Sequence, residues 1–201
     1  MNIVAGVILA GGKSLRMGGG DKSLVMLGDK PLIAHVIERV RPQVADLIIN
    51  AGGNAERFGD FGLDVLADTI GGRVGPLAGV LTGLEWLAKN QPTAGWLLSV
   101  PADTPFLPPD LVRRLTDALI DGKADMACAK SLDRSHPVIS IWPSTMAGDL
   151  RRAIVDEGVR KVRAWTARYR IAHVEFNAAP VDPFFNVNRP EDLAAAEAGV
   201  F

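Results

Sequence analysis

The sequence predicts an α/β fold, a single three-layer domain in which a mostly parallel sheet carries helices on both faces. Short apolar segments alternate with amphipathic ones from residue 3 to residue 122. The apolar segments have no consistent polar alternation, as expected of strands that are covered on both faces. The 201 residues fit one domain, and neither a repeat nor a linker divides them.

The first part of the chain predicts four strands and three helices in order. The predicted strands are "IVAGVILA", "DLIIN", "LDVLAD" and "GWLLSVP". "PLIAHVIERV" has helical periodicity, with Pro31 at the favourable first helical position. "PLAGVLTGLEWLAK" is an amphipathic helix with Leu77, Leu81 and Leu84 on one face. "PPDLVRRLTDAL" predicts a third helix, for which Asp110 is the expected N-cap. This order is typical of a Rossmann-like sheet.

The second part of the chain is less regular. "DMACAKS", "HPVISIW" and "RIAHVEF" are predicted strands, and residues 145–168 are predicted to be mostly helical. "PEDLAAAEAG" predicts a closing helix. The flanks of Cys128 indicate a buried strand, so we expect this thiol to pack in the core.

Composition excludes several classes of protein. The 22 Lys and Arg residues balance 23 Asp and Glu residues, whereas a general nucleic-acid binder carries a basic surplus. A single cysteine allows neither a disulfide framework nor a cysteine-based zinc site within the chain. The apolar start lacks a cationic leader and is too short to span a bilayer, so we expect a cytoplasmic protein without a membrane partner.

The loop after the first strand is rich in glycine and in cations. "VILAGGKSLRMGGGDKS" contains five glycines and the cations Lys13, Arg16 and Lys22. Glycine N–H groups can close on phosphate oxygens, which predicts a polyphosphate site. Neither standard phosphate motif fits, since Val7 stands where a P-loop needs glycine, and no G-x-G-x-x-G pattern is in register. A flexible surface turn is the alternative.

Two further loops follow predicted strands, at the edge where ligands collect in open α/β sheets. In "PADTPFLPPD", Asp103 is a candidate Mg²⁺ ligand, because this ion is usually held by one or two carboxylates plus substrate phosphates. A plain turn residue is the alternative. In "DTIGGRVGPLAG", Asp68 could accept from two N–H groups of a base such as guanine, or hold a ribose hydroxyl or the cation. Asn50 would lie beside it, with a capping role as the alternative.

These loops together resemble a known family. "LAGGKSLRMGGGDK" resembles the signature loop of nucleotidyltransferases, which attach a nucleoside monophosphate to a phosphorylated acceptor. With "GPLAG", "DTPF", "FFNVN" and "PEDL", the similarity to the guanylyltransferases of molybdenum cofactor biosynthesis covers essentially the whole chain. The cytidylyltransferases that act on the same pterin more often have "LAAG" and "DQP", so "LAGG" and "DTP" favour the guanylyl family.

The resemblance implies a set of site residues. The nucleotide-binding residues would be Leu9, Ala10, Gly11, Gly12, Lys22, Asn50, Asp68, Gly75 and Asp103. Lys22, Arg16 and Asp103 would be catalytic, with Mg²⁺ on Asp103. His136, Asn186 and Asn188 would bind the acceptor, although a histidine before proline is also a common structural residue. The single domain 1–201 would then consist of a GTP-binding part, 1–122, and an acceptor-binding part, 123–201.

The implied reaction transfers GMP from GTP to the terminal phosphate of molybdenum-loaded molybdopterin and releases pyrophosphate. The implied partners are GTP, molybdopterin and other proteins of molybdenum cofactor assembly. The alternatives are a cytidylyltransferase on the same cofactor, a sugar-1-phosphate nucleotidyltransferase and a non-catalytic cofactor-binding chaperone. Lys22, Asp68 and Asp103 argue against the chaperone, because a pure binder has little use for a metal-dependent leaving-group site.

Overall fold

A computed structural model describes residues 3–11, 21–72 and 74–199. Within these ranges the strands are β1 (Val4–Leu9), β2 (Met26–Leu27), β3 (Lys30–Pro31), β4 (Leu47–Asn50), β5 (Asp64–Leu66), β6 (Trp96–Pro101), β7 (Met126–Ser131), β8 (Arg134–Pro143) and β9 (Ile171–Glu175). The α-helices are α1 (Leu32–Val40), α2 (Pro76–Asn90), α3 (Leu111–Asp121), α4 (Ala147–Val155), α5 (Val162–Thr166) and α6 (Pro190–Gly199).

Seven of these strands form one sheet, in the order β5-β4-β1-β6-β8-β7-β9. β1 pairs in parallel with β4 and β6, β4 with β5, and β7 with β9. β8 runs antiparallel to both of its neighbours, β6 and β7. The predicted mostly parallel sheet is therefore confirmed, and strands from both halves of the chain belong to it. β2 and β3 pair separately as a short antiparallel hairpin.

Helices cover both faces of this sheet, which confirms the predicted three layers. α1 and α3 pack on one face, where residues such as Ile33 and Leu115 join Ile8 of β1 in the core. α2, α4 and α5 pack on the other face around Trp142 and Trp165, whose ring centroids lie 5.6 Å apart. Such burial of apolar surface is the main driving force for folding. Among the described residues, no helix has the length and apolar character needed to cross a membrane.

Local details differ from the sequence predictions at three places. Pro31 precedes α1 as its N-cap, paired in β3, instead of opening the helix. Asp110 occupies the N-cap position of α3 but makes no capping hydrogen bond, because its carboxylate pairs with Arg113 at 3.1 Å. The predicted helical run 145–168 is divided into α4 and α5, with Gly158 between them at φ 69°. Cys128 is buried in β7, as predicted.

Candidate active site

A cavity of about 1040 Å³ lies at the carboxyl ends of β1, β4 and β6. Asn50 and Asp68 line it on the β4 side, and Arg134 and His136 line it on the β8 side. β1 and β6 separate β4 from β8, so the two sides are three strand spacings apart, about 14 Å. Single-ligand pockets are typically about 300–1,000 Å³. The cavity is therefore large enough for two substrates side by side.

Lys22 lies where the chain returns to the sheet after the glycine-rich loop. Its Nζ forms an ion pair with the carboxylate of Asp103 and also donates to Oδ1 of Asn188. The Lys22 side chain is 12% exposed and that of Asp103 is 18% exposed, so the pair is largely shielded from water. Shielding strengthens an ion pair relative to one on the open surface. The predicted catalytic residues Lys22 and Asp103 are thus in direct contact.

Two residues outside the predicted site fix the turn that carries Lys22. Asp21 accepts through Oδ1 from the backbone N of Ser23 at 3.0 Å and from its Oγ at 2.6 Å. Arg57 donates through Nε to the other oxygen of Asp21 at 2.8 Å. The Arg57–Asp21 pair therefore orients the short 3-10 turn Lys22–Leu24 and, with it, the lysine side chain.

Asp103 lies two residues beyond β6 and belongs to the same hydrogen-bond network as the C-terminal asparagines. Asn186 donates through Nδ2 to Asp103 Oδ1 at 2.8 Å. The backbone N of Val187 donates to the carbonyl oxygen of Asp103 at 3.0 Å. Asn186 and Asn188, which the sequence predicts on the acceptor side, therefore contact the Lys22–Asp103 pair. Asn186 also lines the cavity and so connects this pair with it.

The residues at Asp103 fit a magnesium ion whose coordination shell is completed by phosphate oxygens of a substrate. A partly exposed carboxylate and neighbouring amide oxygens are the hard oxygen ligands that Mg²⁺ takes, with waters and phosphates in the other positions. Within residues 3–11, 21–72 and 74–199, no group of three His, Cys, Asp or Glu side chains could hold a metal ion. A magnesium site here would therefore need oxygens of the bound nucleotide.

On the β4 side, Asn50 orients Asp68. The Asn50 side chain is 5% exposed, and its Nδ2 donates to Asp68 Oδ1 at 3.0 Å and to the carbonyl oxygen of Leu66 at 3.2 Å. Asp68 itself is exposed toward the cavity. Gly75, the N-cap of α2, has φ 78°, a conformation that favours glycine, and it lets α2 begin at the cavity wall.

The predicted residues of β1 and the glycine-rich loop differ in whether they line the cavity. Leu9 and Gly11 line the cavity. Ala10 is 3% exposed, is not among the described lining residues, and donates its N–H to the carbonyl oxygen of Asn50 at 2.8 Å. The structure therefore places Ala10 behind the cavity lining, bonded to β4. Gly12 and Arg16 lie outside the described residues.

His136 lines the cavity on the β8 side and is also held by the core. Its Nε2 lies 2.9 Å from Ser131 Oγ, and its ring stacks on Phe184 at 4.9 Å between centroids. Burial lowers the pKa of His136, Asp182 acts in the opposite direction, and Arg134 and Arg163 lower the pKa further. Burial therefore favours the neutral form of the imidazole, which both lines the cavity and packs against the core.

The sequence prediction missed three residues that line the cavity beside His136. These are Arg134, Ser135 and Arg163. Arg134 and Ser135 could have been found from their position next to the "SHP" motif. Arg163 had no such signal, because it lies in the irregular helical region and reaches the cavity only through the packing of α5.

Comparison with known proteins places this architecture in context. Residues 6–174 match the family described as the MobA-like NTP transferase domain. The chain is 54% identical to a molybdenum cofactor guanylyltransferase of Rhodopseudomonas palustris (strain BisB5), over 95% of this chain and 91% of that protein. It is 50% identical to a molybdenum cofactor guanylyltransferase of Bradyrhizobium sp. (strain ORS 278), over 96% and 92%.

A solved structure with a similar fold is molybdopterin-guanine dinucleotide biosynthesis protein A from Archaeoglobus fulgidus. The TM-score is 0.73 with 25% identity, and the match covers 98% of this chain and 97% of the other. The similarity therefore extends over both sides of the cavity.

Proposed function

Because this chain belongs to the MobA-like NTP transferases, and among them to the molybdenum cofactor guanylyltransferases, we propose that it transfers GMP from GTP to molybdopterin. The acceptor is the terminal phosphate of molybdenum-loaded molybdopterin, and the products are the guanine dinucleotide form of the cofactor and pyrophosphate. The observation that carries the proposal is the contact between Lys22, Asp103 and Asn188 at the carboxyl edge of the sheet. A shielded cation and carboxylate beside a cavity of two-substrate size suit phosphoryl chemistry.

The chain's own residues bind and orient the reacting groups. The terminal phosphate of the acceptor is ionised near neutral pH, so its oxygen attacks the α-phosphorus of GTP without a strong general base. The P–O bond to the β-phosphate breaks, and pyrophosphate leaves with its electron pair. Lys22 stabilises negative charge on the departing group, and Arg16 is proposed for the same role. A Mg²⁺ ion at Asp103 would supply Lewis-acid polarisation of the α-phosphate.

Selection of guanine is assigned to Asp68. A carboxylate held by Asn50 can accept from two neighbouring N–H groups of a guanine edge, whereas cytosine offers a different pattern. A site built to hydrogen-bond its substrate rejects a mismatched analogue by several kcal/mol. This distinguishes the proposal from a cytidylyltransferase on the same fold.

The proposal is tested with a panel of GTP, CTP, ATP and UTP in the presence of Mg²⁺. At one common concentration of about 100 times the dissociation constant for GTP, GTP adds about 2.7 kcal/mol to the stability of the folded state and nucleotides that bind more weakly add less, so GTP should give the largest thermal shift. With molybdopterin present, pyrophosphate should be released from GTP. Equal turnover with CTP would contradict the guanylyl assignment, and nucleotide binding without pyrophosphate release would favour a non-catalytic binder.

We further propose that residues 1–122 bind the nucleotide and residues 123–201 the acceptor, within one domain. The positions of Asp68 on the β4 side and His136 on the β8 side support this division. Other proteins of molybdenum cofactor assembly are proposed as partners, and the cytoplasm as the compartment, because these steps use and deliver a labile cofactor.

A further inference from the structure

Two arginines at the β8 side of the cavity have no carboxylate partner among the described residues. Arg134 begins β8 and Arg163 lies in α5, and both side chains are exposed and line the cavity. Four other arginines of the same half pair with carboxylates, namely Arg151 with Glu85, Arg152 with Asp149, Arg168 with Glu157 and Arg170 with Asp125. Arg134 and Arg163 are therefore cations whose charge is directed at the cavity without being neutralised by a described neighbour.

The carboxylate nearest in sequence is held elsewhere. Asp133 precedes Arg134 but pairs with Lys130 at 2.9 Å, and Glu175 pairs with the same lysine at 3.0 Å. Arg163 is turned toward the start of β8, where its Nη2 approaches the carbonyl oxygen of Ser135 at 3.5 Å. The two guanidinium groups thus belong to one positively charged segment of the cavity wall.

This segment, Arg134 with Arg163, borders two cavities. Both arginines and Ser135 also line a second cavity of about 430 Å³, where His173 contributes to the lining. A ligand that extends away from the nucleotide across β8 therefore meets both arginines, whichever of the two cavities it enters.

The arginines are displaced along β8 from the place where the phosphate reacts. β8 passes the end of β6 near Val138, whose carbonyl oxygen accepts from Ser99 Oγ at 2.5 Å. Arg134 is four residues further along β8, and a register shift against β7, where Cys128 pairs with Ser140 but Ala129 with His136, shortens the separation to about two to three strand rises, roughly 7–10 Å. Asp103 lies just past the end of β6, so Arg134 faces a different group of the acceptor from the phosphate that reacts there.

We propose that Arg134 and Arg163 bind the anionic metal–dithiolate group of the acceptor, and so set the position of its phosphate at the nucleotide. The inference rests on the proposed function, which supplies an acceptor with negative charge on its dithiolate as well as on its phosphate. Guanidinium groups suit this role because they stay charged and present several donors in a planar fork. Arg134 and Arg163 would be positioning residues, since they hold the part of the acceptor that does not react.

The test compares Arg134→Ala, Arg163→Ala and the double variant with Arg152→Ala, which removes an arginine of α4 that pairs with Asp149 and lines neither cavity. Equilibrium binding of molybdopterin is followed by pterin fluorescence without GTP. The KM values for molybdopterin and GTP are then measured from pyrophosphate release. Circular dichroism and the melting temperature check that each variant is folded.

The double variant should bind molybdopterin about 10- to 100-fold more weakly, as expected when two charge-assisted contacts are lost, and its KM for molybdopterin should rise to match. Its KM for GTP should stay within about twofold of the wild-type value, and Arg152→Ala should resemble the wild type throughout. An unchanged molybdopterin affinity would overturn the inference, as would an equal rise of the KM for GTP, which would place the arginines on the nucleotide.

The outcome also separates this inference from the proposed function. If the wild-type protein releases no pyrophosphate with GTP and molybdopterin, the proposed function fails, and the fluorescence titration still decides whether the arginines hold the acceptor. If the wild type turns over and the double variant keeps the wild-type KM, the arginine subsite alone is wrong. Absence of molybdopterin binding to the wild type would overturn both.

Discussion

The ammonium group of Lys22 joins the carboxylate of Asp103 and the amide oxygen of Asn188, although these residues lie 81 and 166 positions further along the chain. The contact brings together the end of the glycine-rich loop, the end of β6 and the segment before α6. Without substrate, the ammonium group of Lys22 and the carboxylate of Asp103 neutralise each other. Under the proposed function, binding of a nucleoside triphosphate would replace the Asp103 carboxylate by phosphate oxygens at Lys22.

Lys22→Ala should reduce kcat/KM by about 10²- to 10³-fold, the effect of removing one preorganised charge-stabilising donor. The matched control is Lys30→Ala, which removes an exposed lysine that pairs with Glu38 at 2.6 Å. An exposed ion pair contributes little, so the control should keep its rate within about twofold. Both variants are measured by pyrophosphate release with GTP and molybdopterin. Similar losses in the two would mean that the effect of removing Lys22 is not specific to its position beside Asp103.

Asp103→Asn should leave the fold intact and remove most Mg²⁺-dependent turnover. The change is nearly isosteric, and Asn186 can still donate to the remaining oxygen, so the loss of stability should be about 1–3 kcal/mol, from Lys22 losing its charged partner. Asp117→Asn on α3, an exposed carboxylate paired with Arg113 at 3.5 Å, is the control. The rate is titrated with Mg²⁺ for each. If Asp103→Asn kept the wild-type rate and Mg²⁺ dependence, Asp103 would be a plain turn residue and not a Mg²⁺ ligand.

Much of the site could be predicted from the sequence because its residues follow strands. Asp68 and Asp103 come directly after apolar segments whose carboxyl ends must meet at one edge of a parallel sheet, Lys22 ends the loop that follows a third such segment, and the structure brings Lys22 into contact with Asp103. Asn50 and Asp68 could be placed together for the same reason, since β4 and β5 are neighbours.

The rest depends on contacts between distant parts of the chain. Asn186 and Asn188 reach Asp103 and Lys22 because the segment after β9 crosses back to the end of β6, where Val187 bonds to the Asp103 backbone. No periodicity or spacing encodes that return. Arg163 likewise reaches the cavity only because α5 packs beside β8, a tertiary contact that local propensity does not specify.

The stability of the protein should fall as the pH drops below 6.5, in part because of His136. Burial lowers the pKa of this histidine in the folded state, so the unfolded chain binds the proton more readily. The stabilising contribution is therefore fully present above about pH 6.5, the model-peptide value, and is lost as the pH falls toward the lower folded pKa. Urea unfolding between pH 5 and about pH 8 measures it.

His136→Gln should reduce the change in the free energy of unfolding with pH below about 6.5. The control for the loss of a histidine is His173→Gln, which removes an exposed imidazole of β9. The glutamine amide can keep a hydrogen bond to Ser131 Oγ, which limits the structural change. An unaltered slope in His136→Gln would show that other groups cause the acid sensitivity.

Gly79→Ala tests whether the packing of α2 holds Asn50 in place. A methyl group at Gly79 would overlap the Asn50 amide and lie 2.6 Å from Cδ2 of Leu9, whereas a methyl at Gly148 of α4 would meet nothing within 4 Å. Glycine in a helix costs about 0.5–1 kcal/mol relative to alanine, so Gly148→Ala should be neutral or stabilising by up to about 1 kcal/mol. Overpacking of a filled core costs about 1–3 kcal/mol, so Gly79→Ala should be destabilising despite its better helix propensity.

The same substitution should weaken GTP binding, because the displaced Asn50 can no longer donate to Asp68 at 3.0 Å. We expect about a 10- to 150-fold higher dissociation constant for GTP in Gly79→Ala, the size of one lost hydrogen bond of about 1.5–3 kcal/mol to a charged group. Urea unfolding and calorimetric titration with GTP measure the two effects, and Gly148→Ala should leave GTP affinity unchanged. If Gly79→Ala matched Gly148→Ala in both stability and affinity, Asn50 would not depend on this contact, and its orientation would have to come from β4 alone.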